Sequence, residues 1–169
     1  MKIIIEALKK ADAEKLYEFE LANRDYFEQM VPSRGDDYYN LSTFQERHEA
    51  LLAEHTKGQS YYFLIKDATG AILGRMNLVD IDHVKKLGHV GYRVGKDHTG
   101  KGIANKALRL LLQMMKNQGV NQIIAKTTTY NIASQKVLER NGFTHLSTSD
   151  EEFEMNGHIM KFVHYRWTQ

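Results

Sequence analysis

The segment GKDHTGKGIANKALRLLLQMMKNQG, Gly95 to Gly119, constrains the fold of this chain more than any other. Ala104, Ala107, Leu108, Leu111, Leu112 and Met115 fall at i, i+3, i+4, i+7, i+8 and i+11, which lays one apolar stripe along a helix. Gly119 stands where a C-terminal cap belongs. Ahead of the stripe come Gly95, Gly100 and Gly102 with Lys96 and Lys101, and ahead of those a strand, Gly88 to Val94. Glycines let the backbone approach an anion, and the first N–H groups of a helix have no internal partner. A strand, a glycine turn and a helix in that order hold phosphate. The open question is whose.

Two phosphate loops fail at single positions. Residues Gly95 to Lys101 match the first seven places of G-x-x-x-x-G-K-[ST], but the eighth is Gly102, which has no hydroxyl to hold magnesium. Three strands also run before the loop without crossover helices. Gly100-Lys101-Gly102 begins G-x-G-x-x-G, but Asn105 takes the place of the last glycine. That motif belongs after a first strand with an acidic residue further on, and no acidic residue lies between Val120 and Ile132. What remains is the pyrophosphate of an acyl carrier bound by Thr99 to Ala104, or a plain glycine turn at the head of a helix.

The other elements frame this one. Lys2 to Leu8 reads as a strand. Asp12 can cap a helix carrying Leu16, Phe19 and Glu20 that fades near Asn23. VPSRGDDYYNL, around the single proline, Pro32, reads as a loop, and Ser42 with Gln45 as a capping box for a helix to about His55, ended by Gly58. Tyr61 to Lys66 and Ile72 to Asp80 are strands joined by a DATG turn. After Gly119 come the strand in VNQIIAKTTTY, a helix opened by Asn131 and closed by Asn141-Gly142, and a tail that turns at Asn156-Gly157, a hairpin signal. The order is that of a mixed α/β domain, partly antiparallel, over residues 1–169.

Composition narrows the chemistry. With no cysteine there is no disulfide, no thiolate metal site and no thiol acyl-enzyme. Twenty-three basic against 21 acidic residues give a net charge of +2, too balanced to predict nucleic-acid binding. No apolar run reaches the roughly 20 residues of a membrane span. Glu6 breaks the short run in MKIIIEALKK, so it reads as a strand and not a signal peptide, and the expected location is cytoplasmic. The histidines lack metal-ligand spacing, so no metal is expected.

NIASQKVLERNGF, Asn131 to Phe143, decides between the loop readings. Together with GYRVGKDHTGKGIANKAL it resembles the two signature blocks of the GCN5-related N-acetyltransferase (GNAT) family, at the family's spacing. N-x-x-S followed by LERNGF is most similar to the branch that acetylates N-terminal α-amino groups of ribosomal proteins (RimJ/RimL-like), which also holds many small-molecule acetyltransferases. The resemblance implies a single-domain α/β (α+β) fold with a mostly antiparallel central sheet of about seven strands and about four helices. It implies acetyl-CoA as cosubstrate and direct transfer to a primary amine, of a protein N-terminus or of a small molecule such as a polyamine, amino acid or aminoglycoside. A non-catalytic acyl-CoA sensor stays open as well.

Carried over residue by residue, the resemblance gives Tyr92, Arg93 and Val94 to the pantetheine arm. It gives Thr99, Gly100, Lys101, Gly102, Ile103 and Ala104 to the pyrophosphate, with Lys106 and Arg109 adding charge nearby. Thr99 replaces the family's usual glutamine or arginine. Asn131 would hydrogen-bond the pantetheine, Ser134 would protonate the departing thiolate, and Lys136 would reach the 3′-phosphate. Where many relatives carry a glutamate base this chain has His89, and where others carry one it has Lys126; His89 has a suitable unperturbed pKa, near 6.5. For a cationic acceptor the sequence offers Asp80 with Asp82, Asp36 with Asp37, and Tyr38 as a substrate wall. Apolar tail residues such as Phe153, Met155, Ile159, Met160 and Phe162 pack on the core or on a second copy, so a homodimer is an expectation too.

Overall fold

The computed structural model describes residues 1–169. Strands β1 (Ile3–Ala7), β2 (Tyr61–Asp67), β3 (Ile72–Asp82) and β4 (Leu87–Val94) pair antiparallel, each with the next. Strand β5 (Gln122–Thr128) joins β4 in parallel, which requires a crossover, and the helix at Ile103–Asn117 supplies it. From the tail, β6 (Thr144–Thr148) forms an edge, and β7 (Phe153–Met155) and β8 (His158–Met160) make a separate hairpin. The last strand, β9 (Phe162–Thr168), inserts between β5 and β6, giving a seven-stranded sheet in the order β1-β2-β3-β4-β5-β9-β6. This is the expected mixed, mostly antiparallel sheet.

Helices cover both faces. On one side lie α1 (Ala13–Ala22), α2 (Arg24–Met30) and α3 (Leu41–Thr56), over a small core that includes Leu16, Tyr38, Phe44 and Leu64. On the other lie α4 (Ile103–Asn117) and α5 (Ile132–Arg140), over the main core. The stripe read from the sequence is the buried face of α4: Ala107, Leu108, Leu111, Leu112 and Met115, with Ile103 leading it. Two details differ from the sequence reading. A fifth helix, α2, follows Asn23 directly; it is seven residues long with only Phe27 buried, so it leaves no periodic signal. Helix α3 is capped by Asn40, whose side chain accepts from the Thr43 backbone at 3.3 Å, and not by Ser42. Asn40 is extended, as an N-cap must be, while Ser42 already lies in the helix.

The feature that positions a site is a fork. Strands β4 and β5 pair only from Leu87 to Val90 and from Gln122 to Ala125. Beyond that they part: β4 follows β3 as far as Val94 and β5 follows β9 as far as Thr128. The backbone of Gly91–Val94 thus lacks a ladder partner on its β5 side.

Candidate active site

Two adjoining clefts open from the fork. The first, about 470 Å³, runs between the free end of β4, the glycine loop and α5. It gathers Tyr92, Arg93, Val94, Thr99, Gly100, Gly102, Ile103, Ala104, Asn131, Ser134 and Lys136, every residue the resemblance assigns to the carrier except Lys101, which is exposed outside it. Gly100 and Gly102 have φ of +73° and +75°, a left-handed backbone that glycine adopts without strain, and Gly102 hands the chain to α4. A helix entered this way leaves its first N–H groups for an anion. Thr99 donates its hydroxyl to the Lys96 carbonyl at 2.9 Å, so its side chain serves the loop.

The positive charge of this cleft comes from Arg93 on β4 and from α5. Lys136 and Arg140 line it. Lys106 donates to the Met1 carbonyl at 3.1 Å, and neither it nor Arg109 lines the cleft. Asn131 caps α5, its side-chain oxygen accepting from the Ser134 backbone at 3.1 Å, which leaves its NH2 for a ligand. Three residues on, the Ser134 hydroxyl lies 3.2 Å from the Tyr92 hydroxyl. Burial pushes the Tyr92 phenol up to about 12, so at neutral pH it keeps its proton.

The second cleft, about 380 Å³, lies on the β3 side of the fork and shares Met30, Val31, Tyr92, Arg93, Asn131 and Ser134 with the first. The Tyr92–Ser134 pair therefore stands at the junction. The β7–β8 hairpin roofs this cleft with Phe153 and Met155. Asn156 and Gly157 turn it with φ of +51° and +80°, and the Asn156 side chain donates to the carbonyls of Glu28 and Gln29 at 2.9 and 3.1 Å, tying the roof to α2.

The wall on the β3 side is ionic. Glu20 on α1 is fully buried and meets three arginines: Arg75 at 2.9 Å, Arg93 at 3.5 Å and Arg34 at 3.7 Å. Arg75 and Arg34 also donate to the Tyr38 hydroxyl, at 3.0 and 2.5 Å. Burial, then repulsion from Arg34, brings the Arg93 guanidinium down to about 10. Arg34, Arg75, Arg93 and Lys126 line the cleft; no aspartate, glutamate or histidine does.

Four sequence candidates lie elsewhere. His89 is an exposed residue of β4 and lines neither cleft. Asp80 is exposed at the irregular end of β3, with φ of +51°. Asp36 pairs with Arg24 at 2.6 Å on the surface, its side chain 97% exposed. Tyr38 is no surface wall: the short turn Asp36–Tyr39 carries it inward, where it is buried. Sequence reasoning missed Glu20 and Arg75. Each leaves a signal, a charge on the apolar side of α1 beside Leu16 and a charge inside the apolar run Ile72 to Leu78. Charged residues are almost never fully buried without a partner.

A family model described as an acetyltransferase (GNAT) domain matches residues 2–144. The probable N-acetyltransferase YjcK of Bacillus subtilis (strain 168) is 30% identical over 158 residues, 92% of this chain and 87% of that protein. Among solved structures, the ribosomal-protein-S5-alanine acetyltransferase from Vibrio fischeri has a TM-score of 0.90 at 23% identity, over 99% of this chain and 93% of its own. RimL, a ribosomal L7/L12 α-N-protein acetyltransferase in complex with coenzyme A, gives 0.89 at 19% identity, over 99% and 94%.

Proposed function

The chain belongs to the GNAT acetyltransferase family and is an N-acetyltransferase using acetyl-CoA, and from that premise we propose that its acceptor is the α-amino group of a protein N-terminus. The observation that carries this reading is the junction of the two clefts at Tyr92 and Ser134. The likeness to the two ribosomal-protein acetyltransferases supports the choice of acceptor.

The first cleft takes the carrier. Helix α4 and its glycine loop offer N–H groups to pyrophosphate, Lys136 and Arg140 offer charge, and the Asn131 NH2 and the unpaired backbone of Gly91–Val94 offer hydrogen bonds to an extended arm. Bound there, acetyl-CoA supplies an acyl thioester. A backbone N–H of β4 stabilises the developing oxyanion. Ser134, hydrogen-bonded to the protonated Tyr92, donates to the leaving sulfur.

The amine enters through the second cleft. With no carboxylate or imidazole lining it, the amine arrives as free base and its proton leaves with water. The cations of the cleft assist, because a positive surround disfavours the ammonium form and lowers the pKa of an α-amino group from its usual 7.7–8.0.

The test is thiol release from acetyl-CoA with peptides bearing a free α-amine, the same peptides blocked at the N-terminus but carrying lysine, and spermidine. Turnover of the free α-amine peptides alone is the expected result, with a rate that climbs along one ascending limb of pH. Turnover of spermidine alone would replace the reading with a small-amine acetyltransferase. Acetyl-CoA binding without any turnover would make the chain an acyl-CoA sensor. An ascending limb that His89→Gln removes would give the base role to His89.

A further inference from the structure

Resting on that acceptor reading, we propose that the second cleft selects amines that carry a carboxylate close to the reacting nitrogen, and that Arg75, Arg93 and Arg34 bind that carboxylate.

The charges on this wall do not balance. Three arginines share the single buried carboxylate of Glu20, and the third oxygen they meet is the Tyr38 hydroxyl. Arg75 and Arg93 are direct cross-strand neighbours on β3 and β4, an arrangement of like charges that a sheet normally avoids. One carboxylate for three guanidinium groups leaves an excess of two positive charges, and Lys126 adds another across the cleft. Excess charge beside a cleft, with part of it buried, calls for an anion.

The wall also has unfilled hydrogen-bonding groups. Arg75 is 4% exposed, yet its Nε–H has no partner to accept it; the buried Oδ1 of Asn77 has none either, and as an acceptor it suits the amine of a ligand and not its carboxylate. Both residues line the cleft. Between them and Ser134 the strand carries Gly91, where a Cβ would meet nothing within 4 Å, so the space over the strand is open. A ligand lying there reaches Ser134 with its amine end and the arginines with its other end. Most of this charge is not met by the carrier: Arg93 lines both clefts, but Arg75 and Arg34 do not line the first, where the glycine loop, Lys136 and Arg140 offer donors and charge of their own. Burial, and after it the repulsion of Arg34, lowers the basicity of Arg93, and the single carboxylate of Glu20 does not offset them.

The inference reverses the expectation that Asp36 and Asp80 draw in a cationic acceptor: those carboxylates are outside the cleft, and the charged residues that line it are all cations. For peptides it predicts a preference for aspartate or glutamate just after the N-terminal residue.

The experiment compares otherwise identical free α-amine peptides with Asp, Asn or Lys at the second position. The expected order of kcat/KM is Asp over Asn over Lys, with at least about a tenfold gap between Asp and Asn carried by KM, which narrows as salt is raised. Arg34→Gln, at the half-exposed rim, lowers the Asp-to-Asn ratio toward one. Arg93→Lys, which keeps the charge and loses the planar fork, lowers it less. Equal rates for Asp and Asn, or a faster Lys peptide, would overturn the inference while leaving α-amine transfer intact. If no peptide is acetylated, the acceptor reading fails, and the inference is decided by succinate binding with coenzyme A saturating. Calorimetric binding that Arg34→Gln weakens supports it, and no binding ends it.

Discussion

The two clefts meet at one serine and are both positive, yet they are built on opposite principles. The carrier cleft is made mainly from the end of β4, the glycine loop and the helix it opens, with α5 and α2 as its other walls. Its main donors are backbone N–H groups, and the charges it does not share with the other cleft, Lys136 and Arg140, are exposed. The acceptor cleft is made from α1, the loop after α2, β3, β4, β5 and a hairpin from the tail. Its donors are side chains, and part of their charge, that of Arg75, is buried with Glu20. A site built from backbone binds an invariant group and depends little on any single side chain. One built from buried ions can select a partner but ties selection to stability.

That difference can be broken most sharply at Glu20. Removing one member of a buried ion cluster strands the others, at a cost of about 3–5 kcal/mol. Glu20→Ala, which leaves Arg75, Arg93 and Arg34 without their carboxylate, is expected to lose that much in urea denaturation, while Lys136→Ala loses nothing measurable. Adding Arg75→Met to Glu20→Ala is expected to recover part of the loss, since the pair is coupled. A Glu20→Ala protein within about 1 kcal/mol of the parent would mean that the cluster does not hold the acceptor wall, and the contrast between the clefts would fall.

The next largest effect is expected at the junction. Ser134→Ala removes the hydroxyl that meets Tyr92 at 3.2 Å, and general-acid assistance is worth about 10²-fold or more in kcat. The loss is expected in kcat with acetyl-CoA affinity kept, because the cap on α5 uses the backbone of Ser134 and not its side chain. Tyr92→Phe tests the same pair from the other side. The protonated phenol also links to stability. A pKa raised from about 10 to about 12 contributes stability that is complete below pH 10 and is lost as the pH climbs to 12. Tyr92→Phe is expected to flatten that alkaline decline, with Tyr62, also raised to about 12 by burial, accounting for the remainder. An equal drop in acetyl-CoA affinity and in kcat for Ser134→Ala would make the serine a binding residue.

The same division explains what the sequence made legible. The glycine loop, the stripe of α4 and the Asn131 cap are local: their meaning depends on neighbours within a turn or two, so pattern and propensity reach them. The acceptor wall is not local. Glu20 and Arg75 are 55 positions apart and meet only because α1 packs on β3. Asp36 and Tyr38 look like acceptor residues because they are polar or aromatic in a loop, but a one-turn helix points Tyr38 into the core and leaves Asp36 in solvent. His89 has a suitable unperturbed pKa, but it lies before Gly91, in the part of β4 still paired to β5, and so outside both clefts. The turn of the short hairpin is legible at Asn156-Gly157, but its place as the roof of a cleft depends on the carbonyls at the end of α2, a helix without a periodic signature.

The smallest effect is expected at the exposed end of the carrier cleft, and it is the finest test of the contrast. Lys136 and Arg140 act through water, so each contributes less than about 1 kcal/mol, a few-fold in Kd. If Lys136 reads the 3′-phosphate, Lys136→Ala weakens acetyl-CoA binding by that amount and leaves binding of the analogue lacking the 3′-phosphate unchanged. Arg140→Ala weakens both alike if it faces the pyrophosphate. Raising the salt is expected to erase the Lys136 effect within the first few tenths molar, as a screened surface charge must. The acidic-peptide preference should resist the same salt longer, because Arg75 and Glu20 are shielded from it by burial. Two salt curves measured on one protein therefore compare the clefts directly: a steep loss for the carrier phosphate and a shallow one for the acceptor carboxylate. If the two curves coincide, the acceptor charges are as solvated as the carrier ones, and buried ions have no special part in selecting the amine.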